Sequence, residues 1–438
     1  MNSKKMSRRS LLTAAAAGSA FTFIKPELVR GAGKERLKAG LVGCGGRGTG
    51  AIVNLLCGDP NVEVVAMGDI FSDKLEMSLK NLRDASYVAR LAKDVPQFTN
   101  TTMDELVSSV QKRVNVDPEH RFAGFDAYRK VIASGADFVM LCTPPGYRPQ
   151  HFEAAVEANK HVFAEKPIAT DSAGVRRFIA AVRKAEQKKL TVMSGAQRRS
   201  SRDYLETVRR IHDGELGEIL AVYAQYLSRP VMHAKARDPK WGDMEWQHRN
   251  WYAFVWICGD QIVEQHFHNI DFINWVMGAH PVKVVAHGGA AWRTRDELYG
   301  NIYDHLTSEF TYANGVRLSS SCRQLPAPTY TETSDLIVGT KGQSTGRDLG
   351  TAGLNGQVQE HIEMLKSIRG EAPYVNHGVA VAESTMTAIM AREAAYSGSE
   401  VTWEQAMASG QDLQPKEFDY KAQMAAVPLA VPGVYKFA

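Results

Sequence analysis

The chain has 438 residues, enough for two domains with separate cores, and its 44% hydrophobic and 23% charged content excludes a disordered or fibrous polymer. The formal charge of +4 is concentrated at one end. Residues 1–32 hold Lys4, Lys5, Arg8, Arg9, Lys25 and Arg30 against Glu27, so the remainder stands at about −1 and keeps no basic stripe that would argue for nucleic acid.

Ser7-Arg8-Arg9-Ser10-Leu11-Leu12 precedes the weakly apolar stretch Leu11 to Ile24 and the small residues Gly31-Ala32-Gly33. This pattern predicts a twin-arginine signal peptide over 1–33, and with it export of an already folded protein to the periplasm or another compartment outside the cytoplasm, soluble once the signal is removed. The apolar stretch is too short for a stable membrane span. A dinucleotide enzyme on this route is expected to load its cofactor before export and keep it. The five cysteines, Cys44, Cys57, Cys142, Cys258 and Cys322, are dispersed and lack metal spacing, so they read as small buried apolar residues.

From Leu37 the pattern becomes strand, glycine turn, helix and strand: Leu37 to Val42, Gly43 to Gly50, Ala51 to Cys57, then Val62 to Gly68 ending at Asp69. Ser72 to Leu91 has helical spacing and the stretch on to His120 is polar and irregular, so an insertion is expected at about 85–120. Strands and helices then alternate through Phe138 to Cys142, His151 to Ala158 and His161 to Ala164, which predicts a parallel sheet. Longer alternating segments from about Ile219, such as His305 to Tyr312 and Val316 to Cys322, predict a mixed or antiparallel sheet. The expected organisation is an α/β chain: a nucleotide-binding Rossmann domain over 34–167, an α+β substrate and oligomerisation domain over 168–410, and a tail over 411–438.

Gly43-Cys44-Gly45-Gly46-Arg47-Gly48 matches G-x-G-x-x-G directly after a strand and at the opening of a helix. The glycines suit a tight turn, close approach of a pyrophosphate, and packing of helix on strand, while the helix N-terminus offers free N–H groups. Asp69, 21 residues after Gly48, is placed to accept hydrogen bonds from a ribose 2′-hydroxyl and to repel a 2′-phosphate, favouring NAD over NADP. Arg47 is the opposing signal, since a guanidinium could meet that phosphate.

Thr143-Pro144-Pro145 after one strand and Glu165-Lys166-Pro167 after the next complete a pattern that resembles the Gfo/Idh/MocA oxidoreductases from Leu37 to about Gly398. The resemblance implies a Rossmann domain followed by an open-faced mixed sheet, a nicotinamide cofactor, and hydride transfer at a sugar or cyclitol carbon. It implies that Thr143, Pro144 and Glu165 lie along the cofactor and that Lys166 stands beside the substrate hydroxyl, where desolvation would lower its pKa and let it relay a proton. The family also places an aspartate four residues before a histidine on one helix. Here Glu264 and His268 have that spacing, with glutamate in place of aspartate, and His268 becomes the candidate general base. His266 adds a metal-like look, but side chains two apart on a helix diverge, so no metal is expected.

Trp241, Trp246, Trp251 and Trp256, four of the seven tryptophans, surround His248, Arg249, Asn250 and Tyr252. Aromatic faces stack on pyranose rings and guanidinium or amide groups bind hydroxyls, so Trp246, Arg249, Asn250, Trp251 and Tyr252 are expected to serve a carbohydrate, with Tyr147 and Arg148 closing the pocket and Gln197, Arg198 or Arg199 reaching substrate. Packing against the core or a second subunit would also explain the aromatic density. A retained NAD would need a second carbonyl as oxidant or return of its hydride to the same molecule, so a sugar or glycoside dehydrogenase, with C3 a possible site, stands beside redox-assisted glycoside cleavage and a non-catalytic sugar-binding module. The resemblance implies a homo-oligomer, dimer or tetramer, that covers the open sheet.

Overall fold

The strand β1 (Leu37–Val42) begins the described chain in the computed structural model, which covers residues 36–231, 236–293, 297–424 and 427–437. The expected signal peptide over 1–33 lies outside the described residues. β1, β2 (Val62–Asp69), β3 (Arg121–Ala123), β4 (Phe138–Leu141), β5 (His161–Ala164) and β6 (Val192–Ser194) form one sheet in the order β3-β2-β1-β4-β5-β6. Every pairing is parallel. The runs are nearly all apolar because helices cover both faces: Leu41, Met67, Met140 and Phe163 are all fully buried. The chain moves outward from β1 to β2 and β3, then returns to the other side of β1 with β4. This reversal opens a crevice at the carboxyl ends of β1 and β4.

The helical spacing from Ser72 to Leu91 is realised as two helices, Ser72–Arg83 and Ala85–Leu91, and the stretch expected to be irregular beyond them holds a further helix, Met103–Gln111. Ala85–Leu91 is capped by the Asp84 carboxylate, which accepts from the Ser86 and Tyr87 amides, and Met103–Gln111 starts at a Thr102/Glu105 capping box. Arg113 then donates to the carbonyls of Leu56 and Asp59 at 2.6 Å each, tying the segment to the end of the helix Gly46–Gly58. It delivers the edge strand β3. The parallel sheet also continues past Pro167 through the helix Ser172–Gln187 to Ser194.

The second sheet takes β7 (Ile219–Ser228), β8 (Lys283–Gly289), β9 (His305–Thr311), β10 (Arg317–Gln324), β11 (Glu332–Gly339), β12 (Gln343–Ser344) and β13 (Val401–Thr402) in the order β12-β11-β7-β10-β9-β8-β13. It is mixed: β7 runs parallel to β10 and the other pairs are antiparallel. Leu306, Phe310, Leu318 and Cys322 alternate into the core beneath the helices Phe267–Met277 and Gly378–Ser397, while Tyr223 and Val285 remain exposed on the opposite face. The tail returns to the molecule rather than leaving it: Leu413 donates its amide to Asp171 at 2.9 Å, and the Tyr420 hydroxyl donates to the Ile70 carbonyl. No helix among the described residues is long and apolar enough to cross a membrane.

Candidate functional site

The crevice encloses a cavity of about 500 Å³. Gly43 has φ +97°, and a Cβ there would strike the Cys142 carbonyl carbon, so this glycine makes the turn without itself lining the cavity. A Cβ on Gly48 would overlap the Gly43 carbonyl oxygen, which forces glycine where the helix meets the strand. Gly45 and Gly46 differ. They line the cavity, and a Cβ on either would meet no protein atom within 4 Å, leaving open space in front of the helix N-terminus for a pyrophosphate.

Asp69 lines the same cavity from the end of β2. Its oxygens accept from the Cys44 amide at 2.7 Å and the Phe71 amide at 2.9 Å. Burial raises its carboxyl above the usual range while both amides oppose that shift, and the fixed oxygens retain lone pairs for a ribose. Arg47 does not stand free to meet a 2′-phosphate. It is ion-paired with Glu165 and lies 3.7 Å from Glu360, both buried carboxylates, which favours a cofactor lacking that phosphate. Thr143 and Pro144 line the cavity after β4, and Glu165 and Lys166 line it after β5.

Lys166 is buried and donates from Nζ to the Glu264 carbonyl oxygen at 2.7 Å, with Glu264 Oε1 at 3.5 Å. The Lys166–Pro167 peptide is cis. Glu264 and His268 do not share one helix as their spacing suggested. Glu264 closes the turn Gln261–Glu264, Gln265 and His266 intervene, and His268 stands in the first turn of Phe267–Met277. Both nevertheless reach the cavity. Burial first, then the Lys166 and Arg198 cations, hold the His268 imidazole well below its ordinary pKa, so it stays neutral and able to accept a proton. His266 points elsewhere, with Nε2 2.7 Å from Ser320 Oγ, and no group of three metal-ligating side chains occurs among the described residues.

The segment bearing Glu264 is clamped to the loop after Lys166. Arg392, fully buried beside Glu393, donates to the carbonyls of Thr170 at 2.6 Å and Gly259 at 3.1 Å. Asp260 follows at φ +78°, a region costly for any residue with a side chain, and is held there by the Tyr303 amide at 2.8 Å and the Tyr396 hydroxyl.

On the substrate side, Tyr147, Arg148, Trp251 and Tyr252 line the cavity. Trp246, Asn250 and Arg199 do not. Trp246 packs on Phe254 with ring centroids 5.1 Å apart, Asn250 donates to the Leu298 carbonyl at 3.2 Å, and Arg199 is paired with Asp271 at 2.8 Å over Trp275. Arg249 belongs to the nucleotide end: its guanidinium lies 3.9 Å from the Phe71 ring centre and pairs with Asp73 at 3.2 Å. Gln197 reaches the cavity from the same stretch as Arg199. Sequence reading missed Gln357 and Glu360 on the helix Gly356–Ile368, since no motif announces a helix that comes to the glycine turn from so far along the chain. His248, among the tryptophans, meets the Tyr147 hydroxyl, and burial pushes its imidazole down to about 4.

The fold and cavity define a dinucleotide-binding oxidoreductase class: a parallel nucleotide sheet whose crevice faces a second, mixed sheet. Two sequence profiles agree, one described as "Oxidoreductase family, NAD-binding Rossmann fold" over residues 37–195 and one as "GFO/IDH/MocA C-terminal domain" over 204–345. The chain belongs to the Gfo/Idh/MocA oxidoreductase family, and its first sheet is that family's NAD-binding Rossmann domain. It is 30% identical to the inositol 2-dehydrogenase of Salmonella typhimurium over 43% of this chain and 46% of the relative. The chain spans less than half the length of the curated relatives it matches. In fold it is similar to scyllo-inositol dehydrogenase from Lactobacillus casei with bound NAD(H) and scyllo-inositol (17% identity, TM-score 0.61, 84% of this chain and 99% of that one). It is also similar to aldose-aldose oxidoreductase from Caulobacter crescentus (16% identity, TM-score 0.58, 84% of this chain and 100% of that one).

Proposed function

We propose that this protein is an NAD-dependent oxidoreductase that oxidises a secondary hydroxyl of a sugar, glycoside or polyol and recycles a tightly held cofactor. The observation that carries the reading is that Lys166, Glu264 and His268 line the same cavity as the Gly45–Gly46 turn and Asp69. The relatives named for inositol and aldose substrates support the substrate class. A bound dinucleotide would supply the hydride acceptor, with Gly45 and Gly46 to hold its phosphates, Asp69 its ribose, and Thr143, Pro144 and Glu165 along its path. Neutral His268 takes the hydroxyl proton as the carbon loses hydride, converting CH–OH to C=O. Lys166, fixed by the Glu264 carbonyl, donates to the developing oxyanion, and Glu264 orients the proton acceptor. Trp251 and Tyr252 offer ring faces to the sugar.

The same reading includes export of the folded, cofactor-loaded protein by a twin-arginine signal over 1–33, and a homo-oligomer that covers the face carrying Tyr223 and Val285. The test is nucleotide released by acid from purified protein, together with absorbance in the reduced-nicotinamide band before and after addition of inositols, aldoses and glycosides. Bound NAD that becomes reduced without added cofactor is expected. Lys166→Ala and His268→Ala should keep the nucleotide and lose at least about 100-fold in reduction rate; normal turnover in both variants would sink the assignment.

A further inference from the structure

Three cations, Arg47, Lys166 and Arg148, line the catalytic end of the cavity. Arg47 is paired with Glu165, and Lys166 with Glu264 at 3.5 Å. Glu360, 3.7 Å from Arg47, does not line the cavity, and burial keeps His268 neutral. Arg148 has no carboxylate of its own: Glu165 and Glu264, which act on it through space, are already paired. It lines the cavity, is only 5% exposed, and its one hydrogen bond goes to the carbonyl of Pro167, the residue after Lys166. Its Nε has no partner, and it has no ion pair among the described residues. Four other enclosed arginines are matched, Arg198 with Asp335, Arg199 with Asp271, Arg369 with Asp59 and Arg392 with Glu393, while Arg293, away from the cavity, meets the Gln324 amide oxygen. A buried unpaired guanidinium is costly, and burial lowers this one to about 10. Such a cost is offset when a ligand brings the missing negative charge.

We infer that Arg148 is the anion-recognition residue of the substrate site, and that the preferred substrate is a carboxylate-bearing sugar, a uronic acid or uronoside, rather than a neutral one. The inference rests on the oxidoreductase reading for its chemistry and on Arg148 alone for its specificity. Nη1 is spent on Pro167 and Nε is shut off from solvent, so Nη2 is the nitrogen that would meet a substrate carboxylate in a charge-assisted hydrogen bond. The cofactor phosphates have their own site at the Gly45–Gly46 turn.

The experiment compares methyl glucuronoside, methyl glucoside and glucose 6-phosphate on NAD-loaded wild type, Arg148→Gln and Arg148→Lys, reading kcat/KM for cofactor reduction. Wild type is expected to favour the glucuronoside over the glucoside by on the order of 100-fold. That ratio should collapse towards unity in Arg148→Gln and be partly kept in Arg148→Lys, which also serves if the glutamine variant fails to fold. Equal use of glucuronoside and glucoside by wild type overturns the inference, as does preference for the phosphate sugar. So does an Arg148→Gln defect that falls equally on all three sugars with loss of bound NAD, which marks a cofactor contact. If no sugar reduces the cofactor, the oxidoreductase reading fails separately. Tryptophan-fluorescence titration with glucuronate and glucose then decides the inference: a glucuronate preference that Arg148→Gln abolishes sustains it, and no preference overturns it.

Discussion

His268 shows how one position acquires its chemistry from neighbours that are distant in sequence. Lys166, from the end of β5, adds a positive charge that disfavours protonation of the imidazole beyond what burial does. The base is therefore available below the ordinary histidine range, and the acid limb of the rate profile should lie below about pH 6.5. Lys166→Gln removes the cation and should move that limb to higher pH, in whatever activity remains, and move the His268 resonance titration the same way. The glycines make a second residue-scale contrast. Gly48→Ala drives a Cβ into the Gly43 carbonyl and should lower stability by roughly 2–4 kcal/mol in urea unfolding. Gly45→Ala meets no protein atom within 4 Å, so its unfolding midpoint should hold while affinity for NAD falls about tenfold or more.

At the scale of elements, the strand pattern, the glycine turn and the triplet Glu165-Lys166-Pro167 were legible because each is a local signal of backbone geometry or apolar spacing. The helix Met103–Gln111 was not. It buries only Leu106, Val107 and Val110, and the chain after it is anchored by Arg113 on carbonyls at the end of another helix, a contact no window of sequence contains. The spacing of Glu264 and His268 suggested one continuous helix, yet the chain breaks at Gln265 and His266 and still delivers both side chains to the cavity. The Trp246 and Asn250 assignments failed for a related reason: aromatic density marks a packed cluster as readily as a sugar site, and only tertiary contacts tell which rings face inward. Arg392 is the element-scale joint, holding the loop after Lys166 against the segment that leads to Glu264. Arg392→Leu leaves Glu393 buried without its cation and should cost about 3–5 kcal/mol in unfolding free energy. Differential hydrogen exchange should show the loss concentrated at 168–171 and 259–264.

Across the whole molecule, both ends of the cavity are covered by chain distant from the nucleotide sheet. At the nucleotide end, the Tyr420 hydroxyl donates to the Ile70 carbonyl, its ring lies 4.5 Å from that of Phe125, and Arg249 covers Phe71. Phe418 of the same tail packs on Tyr147 at 5.4 Å, nearer the catalytic end. Phe418 and Tyr420 do not line the cavity themselves but brace Tyr147, Phe125 and Ile70, which do, so a dinucleotide whose exit displaces those groups would carry the cost of undocking the tail. Phe418 and Tyr420 are each only partly buried, so their docking is worth roughly 2–3 kcal/mol. Tyr420→Ala with Phe418→Ala should therefore speed release of NAD by about 100-fold, measured by competition with excess labelled NAD, while the Rossmann sheet and its unfolding cooperativity persist. The consequence reaches the reaction as a whole. A cofactor released more slowly than turnover must be reoxidised where it sits, so wild type should transfer hydride between two carbohydrate molecules in parallel-line, ping-pong kinetics. The double variant should exchange its cofactor and depend on NAD in solution. Rapid exchange in wild type would instead make the tail a structural cover alone and leave reoxidation to a separate acceptor.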